Sequence, residues 1–340
     1  MADARNIQTR YDVLAIGNAI VDVITETTDA FIERQRLTKG GMQLIDADRA
    51  GELYDAMGPA REISGGSAAN TLAGLSMLGR KCAFIGQVAD DQLGQVFAHD
   101  IRAAGIDFDV PPRGKEPPTA RCLILVTPDA QRTMNTFLGA SQYLSAELIG
   151  KDLIASAAIL YLEGYLWDPE EPRAAMRAAI EHAKAAGRKV AFTLSDAFVI
   201  ERHRSDFLKL MNAGLIDILF ANEVEICSLQ QDEDFESAVA AAAAKVPLLV
   251  VTRSEKGAIA VHGGERFAVP AEPVARLVDT TGAGDLFAAG VLSGLSEDRP
   301  IAECLKIGAI CAAEIISHYG ARAEADIRAI CDLIGSNRPL

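Results

Sequence analysis

Apolar runs of strand length alternate with amphipathic helical patterns along most of the sequence. The runs YDVLAIG, KCAFIGQV and KVAFTLSD are typical of buried strands, whereas QLGQVFAHDIRAAG and EPRAAMRAAIEHAKAAG are typical of amphipathic helices. Strands that are separated by helices run parallel in a sheet, and the helices cover both faces of that sheet. We therefore predict an α/β fold with three layers, α/β/α, around a mostly parallel central sheet.

Two segments, at about residues 21–46 and 106–140, break this alternation with short β-like runs and little helix between them. The second segment contains the turn-rich stretch PPRGKEPP, followed by the runs TARCLILVT and RTMNTFLG on either side of the turn PDAQ. Short strands around turns are typical of a separate antiparallel sheet. We predict that the two insertions form a small β-sheet lid over the mouth of a single α/β domain, residues 1–340.

The charge of the chain excludes one class of partner. A formal net charge of −14 argues against a sequence-independent nucleic-acid binder, which needs Lys and Arg to replace the counterions of the phosphates. A small anionic ligand remains possible, because a helix N-terminus or Mg²⁺ reverses the field locally. The N-terminus lacks the apolar run of a signal peptide, and no stretch reaches membrane-spanning length. We expect a cytoplasmic protein that binds neither nucleic acid nor membrane.

The stretch DTTGAGDLFAAGVL begins at Asp279 and places Gly282, Ala283, Gly284 and Asp285 in front of an apolar helical run. Backbone N–H groups at a helix start have no intrahelical partner and carry the positive end of the dipole. The two glycines would let these groups close around a phosphate, with Asp285 beside the transferring group as a proton acceptor. A glycine turn with an ordinary acid at a helix start explains the same residues, so the motif alone leaves both interpretations open.

A second glycine pair, Gly65 and Gly66, precedes another helical run, with Asn70 about one turn inside it. Asparagine is a mediocre residue for a helix interior, so Asn70 suggests a side chain directed at a ligand, although a capped helix packed through its alanines is the simpler explanation. Asn18 and Asp22 follow the first strand, where open parallel sheets bind ligands. One carboxylate can accept hydrogen bonds from two sugar hydroxyls, which would suit Asp22.

The stretches GGSAANTLAGLSMLG and DTTGAGDLFAAGVL together resemble the two signatures of the ribokinase (PfkB) family of sugar and nucleoside kinases. Their order and separation match the family, and the resemblance extends from DVLAIGNAIVD to ISHYGAR. It implies a ribokinase-like fold and transfer of the γ-phosphoryl group of ATP with Mg²⁺. The spacing of Asn18 and Asp22 and the stretch QRTMNTFLGAS are similar to those of adenosine kinases.

The resemblance implies a role for each matching residue. It makes Asp285 the catalytic base, and Gly282, Ala283 and Gly284 the anion hole. The remaining roles are acceptor binding by Asn18, Asp22, Gly65, Gly66, Asn70, Met134 and Thr136, ATP binding by Asn222, Thr252, Ser254 and Gly257, binding of Mg²⁺ through water by Glu225, and help in holding a monovalent cation such as K⁺ by Asp279.

We therefore predict an ATP-dependent kinase that phosphorylates the 5′-hydroxyl of a ribonucleoside, with adenosine as the expected acceptor. Two alternatives stay open at this point. One is a kinase of the same family for a free sugar, fructose or ribose, and the other is a nucleoside sensor without turnover, which would not need Asp285 as a base. The sequence is compatible with either a monomer or a homodimer.

Overall fold

The computed structural model describes residues 9–129 and 131–332. The strands are β1 (Tyr11–Ile16), β2 (Ile20–Glu26), β3 (Met42–Leu44), β4 (Arg61–Gly65), β5 (Cys82–Ile85), β6 (Ile106–Asp107), β7 (Ala120–Val126), β8 (Arg132–Phe137), β9 (Ala157–Glu163), β10 (Lys189–Thr193), β11 (Ile218–Asn222), β12 (Leu248–Thr252), β13 (Ala258–His262) and β14 (Glu265–Val269). The α-helices are α1 (Asp29–Arg34), α2 (Ala47–Ala56), α3 (Ser67–Met77), α4 (Gln92–Ala103), α5 (Lys151–Ala155), α6 (Glu170–Ala185), α7 (Ala197–Asn212), α8 (Glu223–Gln230), α9 (Phe235–Ala243), α10 (Ala283–Ser296), α11 (Ile301–Ile315) and α12 (Ile327–Asp332).

The larger of two sheets has nine strands in the order β14-β13-β12-β11-β10-β9-β1-β5-β6. All neighbours from β12 to β6 are parallel, and only β13 and β14 at one edge are antiparallel. The strands in the middle are buried on both sides because their runs are almost wholly apolar, as parallel strands between two helix layers require. The predicted mostly parallel central sheet is confirmed.

Helices cover both faces of this sheet. On one face, Val13, Tyr161 and Phe220 pack with α3, α10 and α11, through side chains such as Leu72 and Phe287. On the opposite face, alternate residues of the same strands pack with α6, α7, α8 and α9, and the aromatic residues Trp167, Phe192 and Phe207 lie at the centre of this core. The predicted three-layer α/β/α fold is therefore confirmed.

The smaller sheet has five strands in the order β3-β8-β7-β2-β4. It draws on both predicted insertions, 21–46 and 106–140, but the boundaries differ from the prediction in three ways. The short helix α1 lies inside the first insertion, β6 at the start of the second pairs with the central sheet, and β4, outside both, pairs antiparallel with β2. The two strand differences have one cause, because the pairing of a strand of two or five residues depends on a partner far away in the chain, which a local pattern does not encode. The helix α1 starts at the N-cap Thr28, whose side chain accepts from the Phe31 N–H.

The chain order changes direction at β1, which lies between β5 and β9. In open α/β sheets, ligands bind beyond the carboxyl ends of the strands at such a point. The carboxyl ends of β1, β9, β11 and β12 lead to Asn18, Glu163, Asn222 and Thr252, which therefore lie along one edge of the sheet. Across the described part of the chain, no helix combines the length and the apolar character needed to cross a membrane.

Candidate active site

Helix α10 begins at Ala283 and forms one wall of the site. Its N-cap is Gly282, whose φ of +78° favours glycine and whose added Cβ would lie 2.8 Å from the Cβ of Ala321. At Gly284 an added Cβ would meet nothing within 4 Å, so the first turn of α10 faces open space. The two glycines thus leave room for an anion in front of the helix N-terminus, although the backbone N–H of Ala283 donates to the Thr280 carbonyl oxygen at 3.2 Å.

Asp285, in the first turn of α10, contacts two residues that follow the other glycine pair, Gly65 and Gly66. Ser67 Oγ donates a hydrogen bond to Asp285 Oδ1 at 2.6 Å, and Asn70 Nδ2 donates to Asp285 Oδ2 at 3.2 Å. Burial raises the pKa of Asp285, although these two hydrogen bonds and the charge of Arg322 act in the opposite direction. The Oδ1 atom of Asn70 is buried and has no hydrogen-bond partner, so it is free to accept one from a ligand.

Asp22 lies on β2 of the small sheet, directly over the Gly65 backbone. An added Cβ at Gly65 would come within 2.5 Å of Asp22 Oδ2, so the glycine makes room for the carboxylate. Burial raises the pKa of Asp22 to about 6, partly offset by the charges of Arg322 and Arg132, and the nearby Asp285 raises it further. The structure therefore brings the predicted acceptor-binding carboxylate close to the predicted base.

The predicted residues of the small sheet share one of its faces. Asp22 pairs with Cys122 on β7, and Cys122 pairs with Thr136 on β8, so the three side chains form one row. Met134 precedes Thr136 by two residues and lies on the same face, because strand side chains alternate. Thr136 also donates a hydrogen bond to the sulfur of Cys122 at 3.3 Å.

The amide of Asn18, a residue predicted to bind the acceptor, contacts two other side chains of the protein. Its backbone N–H and its Nδ2 both donate to Glu163 Oε1 at 2.7 Å, and Ser141 Oγ donates to Asn18 Oδ1 at 2.8 Å. The amide of Asn18 is thus 3% exposed and satisfied by protein groups. Gly66, at φ +95°, closes the same turn, since an added Cβ would lie 2.4 Å from the Asn18 carbonyl oxygen.

Glu163 at the end of β9 is a site residue that the sequence analysis missed. Besides Asn18, the backbone N–H of Ala68 donates to its Oε2 at 2.8 Å. Burial raises the pKa of Glu163 to about 7, while the bonds from Asn18 and Ala68 lower it and Asp285 adds to the rise. The signal was present in the run AAILYLEG, because an acid that directly follows a buried strand needs buried partners.

Asn222 and Glu225 form a capping box at the start of α8. Asn222 Nδ2 and backbone N–H donate to the two oxygens of Glu225 at 2.7 and 3.0 Å, and the backbone N–H of Glu225 donates to Asn222 Oδ1. Burial raises the pKa of Glu225 to about 7, opposed by the backbone bond from Asn222 and increased by the charge of Asp196. A positive ion nearby would favour the ionised form of Glu225.

The Glu225 carboxylate fits a Mg²⁺ ion that keeps its own waters. Mg²⁺ is commonly bound by one or two carboxylates together with substrate phosphates, and Glu225 provides one such carboxylate. Within residues 9–129 and 131–332, no cluster of three His, Cys, Asp or Glu side chains could enclose a metal ion.

The three other residues predicted to bind ATP differ in their surroundings. Thr252 ends β12 and pairs with Asn222, so these two lie side by side at the sheet edge. Ser254 is exposed at φ +50° in the following turn. Gly257 has φ +82°, and an added Cβ would lie 2.1 Å from the Val269 carbonyl oxygen, so the close approach of β14 already requires a glycine there.

Asp279 is surrounded by hydrogen-bond donors. Its Oδ2 pairs with the guanidinium of Arg132 and accepts from the backbone N–H of Gly320 at 3.1 Å. Its Oδ1 accepts from the backbone N–H and the hydroxyl of Thr281 at 3.0 and 2.8 Å. In this arrangement the carboxylate does not fit a monovalent cation, because Arg132 already supplies the positive charge.

Comparison with known proteins identifies the class. A family model described as pfkB family carbohydrate kinase matches residues 41–328. The chain therefore belongs to the pfkB family of carbohydrate kinases, which are phosphotransferases that use ATP with Mg²⁺, and the family predicted from the two glycine motifs is confirmed.

Solved structures and a curated relative show the range of acceptors in this family. An adenosine kinase from Sinorhizobium meliloti is 48% identical, with a TM-score of 0.88 over 96% of this chain and 100% of the other. A probable sugar kinase from Rhizobium etli CFN 42 is 47% identical, with a TM-score of 0.89 over 96% and 99%. A fructokinase from Klebsiella pneumoniae is 30% identical over 248 residues, 72% of this chain and 80% of that protein. Family membership alone therefore leaves nucleoside and sugar acceptors open.

Proposed function

We propose that this protein transfers the γ-phosphoryl group of ATP to the 5′-hydroxyl of a ribonucleoside, with adenosine as the acceptor. The observation that carries the proposal is the meeting of Asp285 with Ser67 and Asn70 beside Asp22. This arrangement supports a site in which Asp285 accepts a proton, the N-terminus of α10 binds an anion and the Asp22 carboxylate binds hydroxyls. The comparisons do not separate the two acceptor classes, since the adenosine kinase is 48% identical and the probable sugar kinase 47%. The choice of a nucleoside over a sugar rests on the spacing of Asn18 and Asp22 and on the stretch QRTMNTFLGAS, which are similar to those of adenosine kinases.

Each of these residues has its own role in the reaction. Asp22 accepts hydrogen bonds from the 2′- and 3′-hydroxyls and orients the ribose, so that its 5′-hydroxyl points at Asp285. As the bond between the 5′-oxygen and the γ-phosphorus forms, the bond to the leaving oxygen of ADP breaks and Asp285 takes the hydroxyl proton. The backbone N–H groups of Gly282 and Gly284, at the N-terminus of α10, stabilise the negative charge on the transferring group. The N–H of Ala283, the third residue predicted for the anion hole, donates to the Thr280 carbonyl oxygen at 3.2 Å instead.

ATP binds along the sheet edge formed by Asn222, Thr252 and Ser254, with Gly257 shaping the turn. Mg²⁺, when bound with ATP, neutralises charge on the phosphates. Glu225 would hold a water of that ion and would be kept ionised by it, and Asn222 orients Glu225 through the capping box.

The small sheet acts as a lid over the acceptor. Its inner face carries Asp22, Thr136 and Met134, so closing the sheet brings hydroxyl-binding and apolar groups onto the nucleoside at the same time. Closure also excludes water, which would otherwise compete with the 5′-hydroxyl for the phosphoryl group.

A free sugar is the second candidate acceptor. The amide of Asn18 is bonded to Glu163 and Ser141 rather than left open for a base, which favours recognition through hydroxyl groups alone. A sensor without turnover is less well supported, since it would have no use for Asp285 and the helix N-terminus in front of it.

One screen separates these functions. Purified protein is incubated with ATP, Mg²⁺ and each of a panel of nucleosides, fructose and ribose, and ADP release is measured, with Asp285→Asn as the matched inactive control. We expect ADP release with adenosine that Asp285→Asn loses. Release with fructose or ribose alone would replace the nucleoside by a sugar, and calorimetric binding of adenosine without ADP release would indicate a sensor.

A further inference from the structure

Arg322 reaches the active site from the segment that follows α11. Its Nη1 donates to the Ala69 carbonyl oxygen at 3.0 Å, and its Nη2 donates to the carbonyl oxygen and hydroxyl of Ser64 at 2.5 and 2.9 Å. Ser64 and Ala69 flank the Gly65–Gly66 turn. One guanidinium therefore ties together the backbone on both sides of that turn.

The turn held in this way is the start of α3. Ser67 and Asn70, which donate to Asp285, lie in the first turn of this helix. On the far side, the backbone N–H and hydroxyl of Ser64 donate to Asp100 on α4 at 2.8 and 2.6 Å. Since glycines leave the backbone freer than other residues, a pair of glycines at this point needs external contacts to keep one geometry.

The charge of Arg322 acts on the same site. Its guanidinium faces Asp100, Asp22 and Asp285, and it is the strongest positive influence on Asp22. An arginine keeps its proton in such surroundings, so this charge is permanent. The other charged and titratable groups that face the two carboxyls are Arg132, Glu163, Tyr161, Tyr165 and Cys122.

We propose that Arg322 is a positioning residue for phosphoryl transfer, which fixes the Gly65–Gly66 turn and keeps a positive charge beside both Asp22 and Asp285. This proposal rests on the proposed function, because it assigns the charge to the carboxylates that bind and deprotonate the acceptor. Arg322 touches neither the acceptor nor ATP; it acts through Asp22 and Asp285. Without Arg322, Asp22 and Asp285 lie in a poorly hydrated space with one positive charge fewer. The pKa of each carboxyl is therefore higher than in the wild type.

The test compares pH profiles of kcat/KM for the acceptor between about pH 5 and pH 9. Arg322→Gln removes the charge, Arg322→Met removes it while filling the space of the stem, and Arg322→Lys keeps it. Arg204→Gln is the matched control, because Arg204 is another half-buried arginine that donates to a backbone carbonyl, that of Leu229 at 2.7 Å in the opposite helix layer. Circular dichroism confirms folding, and either uncharged variant that folds decides the question.

We expect the acid limb of the profile to move up by about one pH unit in the uncharged variants. Below the wild-type limb, kcat/KM is then about tenfold lower than in the wild type, and it recovers as the pH rises past the displaced limb. Arg322→Lys and Arg204→Gln keep the wild-type limb. A purely structural Arg322 would instead lower kcat/KM equally at every pH.

The outcomes separate this inference from the function on which it rests. If the wild type releases ADP with an acceptor but the limb stays in place in the uncharged variants, only the role of Arg322 is overturned. If the wild type releases no ADP with any nucleoside or sugar, the proposed function fails and the role of Arg322 fails with it.

Discussion

Arg132 and Asp279 form a buried ion pair that joins the small sheet to the loop in front of α10. Their side chains are only 7% and 6% exposed, and Arg132 also donates to the hydroxyl of Thr281 at 2.9 Å. Arg132 is the first residue of β8, on the same strand as Met134 and Thr136. The face that is proposed to cover the acceptor is therefore connected to the loop that is proposed to hold the phosphate.

This ion pair predicts how the protein responds to removal of K⁺. Because the guanidinium of Arg132 already neutralises Asp279, we expect the rate of ADP release to stay within about twofold when K⁺ is replaced by a bulky organic cation. In Arg132→Gln the carboxylate is left unpaired, and the same replacement should lower the rate about tenfold. Strong activation of the wild type by K⁺ would show that the ion pair opens during turnover and that Asp279 then takes a cation.

Replacing Asp285 tests the proton acceptor. Asp285→Asn keeps the shape of the side chain but cannot take the hydroxyl proton, so kcat should fall about 10²–10⁴-fold while both substrates still bind. The pKa of Asp285 is raised by burial, and the base works only when ionised, so wild-type kcat/KM should fall as the pH drops through that raised pKa. Glu297→Gln, at the other end of α10, is the control for helix stability. An Asp285→Asn variant with more than about a tenth of the wild-type kcat would rule out Asp285 as the base.

Glu225 is predicted to set the Mg²⁺ requirement. With a pKa near 7, the carboxyl loses its charge as the pH falls through that value, so the Mg²⁺ concentration for half-maximal rate should rise on the acid side. Glu225→Gln should raise this concentration about tenfold and remove its pH dependence. The matched control is Glu223→Gln on the same helix, whose carboxylate pairs with Arg253 instead. Identical Mg²⁺ curves for wild type and Glu225→Gln would take Glu225 out of the metal site.

Much of the fold and part of the site could be predicted from sequence. The strands and helices follow the local periodicity of apolar residues. Two glycines mark the start of each of the helices α3 and α10, because glycine adopts the backbone geometries that expose a helix N-terminus. Which residues then meet is a long-range matter. Ser67 contacts Asp285 across 218 positions, and no local pattern encodes that contact.

The residues that the sequence analysis missed share one property. Glu163, Arg132 and Arg322 are charged residues that act through partners far away in the chain. Asn18, which the sequence analysis did single out, bonds to Glu163, one of these missed residues. The signal that could have identified them is a charged residue in a segment that the fold buries. A buried charge requires a partner, although the sequence does not reveal which residue provides it.

The ribose preference depends on Asp22. If its carboxylate accepts from both the 2′- and 3′-hydroxyls, removing one hydroxyl leaves a charged acceptor underpaired in a closed pocket. A hydrogen bond to a charged group contributes about 1.5–3 kcal/mol, so 2′-deoxyadenosine should lose about tenfold to a hundredfold in kcat/KM relative to adenosine. The pKa of Asp22 is raised to about 6, and protonation weakens the acceptor, so this preference should shrink as the pH falls through that value.

Asp22→Ala should weaken the use of adenosine and largely erase the preference, because the discriminating acceptor is gone. Glu26→Gln is the control, since it changes an exposed acid on the same strand and should leave the ratio of the two substrates as it is. If Asp22 only supported the turn at Gly65, its removal would lower stability and slow both substrates alike. The ratio of kcat/KM values, measured in the wild type and both variants at one pH, therefore decides between the roles. If Asp22→Ala still prefers adenosine over 2′-deoxyadenosine as strongly as the wild type does, the sugar binds elsewhere in the pocket.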